Sequence, residues 1–79
     1  MNRASKHNFG TLSAVTVTSA ELIIVNNQNE RIVMNGEDWQ QLRPMMQAKA
    51  LNLLNEEVVI TTHSNTRSVG SFYDLEPAA

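Results

Sequence analysis

"RIVMNGEDWQQL", residues 31–42, admits two readings. Asn-Gly between apolar runs is a strong signal for a hairpin turn. The residues after Gly36, however, do not alternate as a strand would. Trp39, Leu42, Met46, Ala50, Leu53 and Leu54 fall on one stripe at the helical spacing of about 100° per residue. Glu37 and Asp38 occupy the first turn, where carboxylates favour the positive end of the helix dipole. Asn35 has a side chain able to cap an orphan N–H. The stretch therefore predicts a strand that hinges into a helix at Asn35-Gly36. Pro44 removes a donor and disfavours helical geometry at Arg43. The helix either kinks there or restarts with Pro44 in its first turn. Asn52 and Asn55 mark its exit.

Before the hinge, the chain reads as strands. "TLSAVTVT", 11–18, alternates and is rich in β-branched residues, with Val15 and Val17 on one face and Leu12, Ala14, Thr16 and Thr18 on the other. "ELIIV", 21–25, is a second strand and "RIVM", 31–34, a third. The asparagine-rich "NNQNE", 26–30, joins them as a hairpin loop, because asparagine tolerates left-handed backbone and bonds its own main chain. After the helix, "EEVVITT", 56–62, returns to strand chemistry. "HSNTR", 63–67, reads as a turn and "SVGSFY", 68–73, as a strand pairing back. The order is βββαββ. It implies an α+β fold with an antiparallel sheet of four to five strands and the helix on one face. Residues 11–73 form the single domain. Residues 1–10, with Arg3, Lys6 and His7, read as a flexible basic arm, and 74–79, with Asp74 and Glu76, as a flexible acidic tail.

A sheet covered on one side should alternate apolar with polar. These strands do not. Leu22 and Ile24 point one way, Ile23 and Val25 the other; Val33 opposes Ile32 and Met34, and Val59 opposes Val58 and Ile60. One helix cannot cover both faces, and burying apolar surface is worth about 25 cal/mol per Å². At 79 residues without cysteine, the chain has no disulfide to compensate for a small core. A homodimer is the expected solution. Ile23 and Val25 on the sheet and Met45 and Leu51 off the main helical stripe are the expected contacts, methionine being common on adaptable binding surfaces. The competing solution has the first strand or the termini fold over the open face.

Little in the sequence points to catalysis. His7 and His63 lack ligand spacing and read as solvent-exposed, so no metal is expected. The adjacent pairs Glu37-Asp38 and Glu56-Glu57 do not read as an acid–base couple. Three scattered glycines make no phosphate loop, and no serine sits in a nucleophile elbow. Neither an enzyme nor a cofactor is expected. Trp39 beside Leu42 reads as core.

The formal charge of −2, from 6 basic and 8 acidic residues, argues against a general nucleic-acid coat. A binding role for single strands would use Arg3, Lys6, Arg31 and Arg67 with the four aromatics. The strand–hinge–helix phrase resembles the same element in the small dimeric single-strand-binding domains of a transcriptional-coactivator family. That likeness covers a dozen residues, and the basic strand residues of that family are largely absent. No apolar run reaches the roughly 18 residues of a membrane span, and the polar start shows no secretory signal, so the cytoplasm is expected. The leading expectation is a small protein-binding regulator or inhibitor, of phage or mobile-element type, that acts as a homodimer by occluding a partner surface. A nucleic-acid accessory protein and a structural component of a larger assembly are the alternatives.

Overall fold

The computed structural model describes residues 5–62 and 71–78. Five strands and one helix follow in the order β1 (Ser5–Val17), β2 (Glu21–Asn26), β3 (Arg31–Asn35), α1 (Gly36–Asn52), β4 (Glu57–Thr62) and β5 (Asp74–Pro77). This is the expected α+β arrangement, as one antiparallel five-stranded sheet in the order β3-β2-β1-β4-β5. The hinge reading holds. Asn35 is extended and Gly36 has φ +62°, a left-handed setting that a side chain rarely adopts and glycine takes freely. Asn35 nevertheless makes no side-chain capping bond, contrary to expectation. α1 runs unbroken through Pro44 rather than restarting there. The carbonyl deprived of its partner belongs to Gln40, and both Gln40 and Pro44 are exposed, so water can take the place of the missing donor.

Two β-bulges curl the sheet. The first half of β1 pairs with β4, with a shift between Asn8 and Gly10; the second half pairs with β2, with a shift between Leu12 and Ala14. The extra residues bend the strand. The second shift corrects the expected faces of β1: Leu12, Val15 and Val17 all lie on the core side. Asn26, buried, secures both bulges. Its amide nitrogen donates to the Phe9 carbonyl and to Glu30 Oε1, each at 2.7 Å. Its amide oxygen accepts from the N–H groups of Gln28 and Glu30, each at 2.9 Å. Its own carbonyl accepts from the Ser13 hydroxyl in the second bulge, at 2.9 Å.

The curl brings the sheet ends together. Ser71 forms a parallel bridge with Val33; the Phe72 N–H donates to the Val33 carbonyl at 3.0 Å, and the Tyr73 N–H to the Thr61 carbonyl at 2.8 Å. The contacts thus run round a small, partly open barrel. Its interior holds Leu12, Leu22, Ile24, Ile32, Met34, Val58, Ile60, Phe72 and Leu75, closed by Trp39, Met46 and Ala50 from α1 and by Leu53 just after it. Trp39 is core, as expected, with the Arg43 guanidinium 5.6 Å from its ring centre.

Both expected flexible ends are corrected within the described residues. Residues 5–10 are the start of β1, and 74–77 are β5. Leu75 is buried opposite Ile60 while its acidic neighbours point outward, the alternation of a charged edge strand. Of the strand expected at 68–73, the described residues 71–73 contribute only the bridge at Ser71, and β5 follows at 74–77; residues 68–70 and the expected turn at 63–67 lie outside the described residues.

Candidate functional site

Residues directly opposite in antiparallel strands share a face, so the register assigns the outer surface. On β4 and its neighbours, Lys6, Thr61 and Asp74 form one outward row, and Asn8, Val59 and Glu76 the next. Lys6 Nζ meets Glu76 Oε1 at 2.8 Å, so this ion pair crosses β4 between Thr61 and Val59. Hydrogen bonding to Glu76, and then its charge, raises the Lys6 ammonium above its ordinary pKa. Lys49 of α1 reaches Asp74 at 3.2 Å, and Asp74 also accepts the Leu75 N–H at 2.8 Å. Thr61 beneath this strap is buried and Val59 half-buried. Lys6 of β1 and Asp74 and Glu76 of β5 therefore lie over this half of the sheet.

The other half has a different surface. Outward rows are Glu21 with Asn35, Ile23 with Thr16 and Val33, and Val25 with Ala14 and Arg31. Ile23, Val25 and Val33 are half-buried by their strand neighbours, while Ala14, Thr16, Arg31 and Asn35 are exposed. The middle row is extended by Ser71, beside Val33. No ion pair among the described residues crosses this face. Neither the Glu21 carboxylate nor the Arg31 guanidinium, at its opposite corners, has a partner among the described residues. The site is thus a short apolar stripe with an acid at one corner and a base at the other.

Of the expected contact residues, Ile23 and Val25 lie in this stripe. Met45 and Leu51 are 57% and 49% exposed on the outer side of α1. They form a separate surface, because α1 packs on the core side of the sheet and Ile23 and Val25 point away from the core. Val33, absent from the expected set, completes the stripe; its opposition to Ile32 and Met34 in sequence was the available signal. Of the residues expected to meet nucleic acid, Arg3 and Arg67 lie outside the described residues. Lys6 is tied to Glu76 on the strapped half, and Arg31 lies on the bare half, so the structure does not bring these two into one groove. Phe9, Trp39 and Phe72 are buried in the core and offer no stacking platform.

His7 is half-buried rather than exposed, with Nε2 3.2 Å from the Thr62 hydroxyl; His63 lies outside the described residues. Among the described residues no three His, Asp or Glu side chains converge as metal ligands, and no helix is long and apolar enough to cross a membrane. No protein-family model, curated protein or solved structure matches the chain.

Proposed function

We propose that this protein is a non-enzymatic protein-binding module that docks through the outer face of β1, β2 and β3, with a second copy of the chain as its first partner. The observation that carries this reading is the stripe Ile23, Val25 and Val33, bare of any strap and flanked by Glu21 and Arg31 at opposite corners. That pattern is self-complementary. A two-fold axis along the Ile23–Val33 row lays apolar row on apolar row and sets Glu21 of one copy over Val25 of the other, one strand from its Arg31 and within side-chain reach of it, as an isologous contact allows. Three strands about 4.8 Å apart and three rows about 6.8 Å apart give a contact core of roughly 300 Å². A standard interface buries about 800 Å² per partner. The dimer is accordingly weak and exchanging, with Kd between roughly ten micromolar and one millimolar. Exchange leaves the face available for a partner protein of similar shape, which the dimer would occlude.

Partly open five-stranded barrels of the OB type, whose strand connections this chain shares, bind oligonucleotides or oligosaccharides on the strand 2–3 face. Fold alone does not assign that role. Single-strand binding rests on stacking aromatics along a basic groove, whereas here three of the four aromatics are core and Lys6 and Lys49 are tied to acids. Sedimentation of the full chain over a dilution series up to millimolar tests the docking reading. Concentration-dependent growth from monomer to dimer is expected. A monomer at every concentration would sink it.

A further inference from the structure

The Asn35-Gly36 hinge carries chemistry that docking does not use. We infer that Asn35 is a self-modification site, converting in the folded protein to aspartate and isoaspartate through a succinimide. The reaction needs an asparagine side chain free to move, an accessible main-chain nitrogen after it, and backbone that can bring the two together. All three are present. Asn35 is exposed and makes no capping bond. Gly36 is the first residue of α1, where N–H groups have no intrahelical acceptor, and no other backbone acceptor takes its N–H among the described residues. A Cβ at Gly36 would have open space around it, so neighbouring atoms do not crowd the hinge. The Asn35 ψ of −175° has turned on from the ordinary strand value of about +135°. It has moved towards the setting in which the Gly36 nitrogen lines up with Cβ, which ring closure demands.

The atoms balance without an oxidant. Base removes the Gly36 amide proton, and the nitrogen attacks Asn35 Cγ. A new C–N bond forms, the Cγ–NH₂ bond breaks, and ammonia leaves with a proton from solvent. Water then opens the five-membered ring at either carbonyl. Opening at Cγ leaves isoaspartate's alternative, ordinary aspartate; opening at the main-chain carbonyl leaves isoaspartate, with one extra methylene in the backbone. Each product makes the formal charge of −2 one unit more negative. The carboxylate appears directly opposite Glu21, at a corner of the bare face, and at the start of α1 beside Glu37 and Asp38. Asn8, Asn27 and Asn52 are also exposed, but precede Phe9, Gln28 and Leu53, whose side chains obstruct the attacking nitrogen.

The test is incubation of the native full-length chain at mildly alkaline pH, beside the same chain unfolded in urea, with peptide mass analysis and isoaspartate-methyltransferase labelling. Native protein should gain one mass unit at Asn35, with isoaspartate detectable, at least about tenfold faster than at Asn8 or Asn52. Its rate should lie within about tenfold of the unfolded rate. Asn35→Gln should remove the labelling, because glutamine would need a six-membered ring. The inference is overturned if native Asn35 converts no faster than Asn8 or Asn52, or stays intact while the unfolded chain converts. The native-to-unfolded comparison uses the unaltered sequence, so the outcome does not depend on any variant folding.

Discussion

The two halves of the sheet have similar interiors and opposite exteriors. Around β4, the outward residues lie beneath the Lys6–Glu76 pair, flanked by Lys49–Asp74. Around β2, the outward residues are Ile23, Val25 and Val33, with Glu21 and Arg31 unpaired at the corners. Charged side chains of β1 and β5 therefore cover the outward apolar residues on one half only. The difference locates the binding surface better than hydrophobicity does, since Val59 is as apolar as Val25 and yet lies beside the strap. An exposed apolar stripe is informative when the rest of its layer is covered.

The division depends on β1 being bent into two arms, and Asn26 holds both bends. Asn26→Ala should have the largest effect on the fold. It leaves the Phe9 carbonyl and the Gln28 and Glu30 N–H groups without their partner, a loss of about 3 kcal/mol in chemical unfolding. Asn27→Ala, at an exposed neighbour, should change stability by no more than about 0.5 kcal/mol. Equal effects would mean that the loop, rather than the buried amide, maintains the bend.

Next in size is the contrast between faces. Ile23→Lys should weaken self-association at least about tenfold, or 1.4 kcal/mol, while Val59→Lys on the strapped half leaves it unchanged. If both variants weaken it alike, the two exteriors do not differ as argued. A smaller effect separates contact from chance. Glu21→Arg or Arg31→Glu alone should weaken the dimer a few-fold, about 0.5–1 kcal/mol, and the double reversal should restore it. Failure of the double variant to recover would remove the two-fold pairing while leaving the apolar stripe.

Much of this was legible in the sequence. β2 and β3 follow from short apolar runs rich in isoleucine and valine, α1 from a helical stripe, and the hinge from Gly36 after Asn35. The two-faced strands correctly signalled a covering problem. The curl was missed, although its trace is present: buried Phe9 and Leu12 stand three apart, as do Leu12 and Val15, where a regular strand spaces one face by two. Each slip is a bulge. The ends were missed for a different reason. In "SKHNFG" and "DLEP" charges dominate the composition, yet Phe9 and Leu75 alternate inward between them. That Lys6 would find Glu76 follows from the pairing of β1 and β5 on either side of β4, a long-range property absent from either segment alone.

The smallest effect expected is that of the strap itself, since exposed ion pairs contribute little. Its pH dependence identifies it nonetheless. Glu76 raises the Lys6 pKa above the ordinary 10.5, so the folded protein holds this proton more tightly than the unfolded chain. The contribution is therefore complete below 10.5 and is lost as pH rises through the raised value. Glu76→Gln should lower the unfolding midpoint slightly at neutral pH, and the difference from the parent should vanish in strongly alkaline solution. Groups common to both proteins cancel in the subtraction to first order. Added salt should shrink the same difference. A gap that persists beyond the lysine titration would mean that Glu76 acts through packing over β4. The strapped half would then be covered by the side-chain stems, with charge pairing incidental.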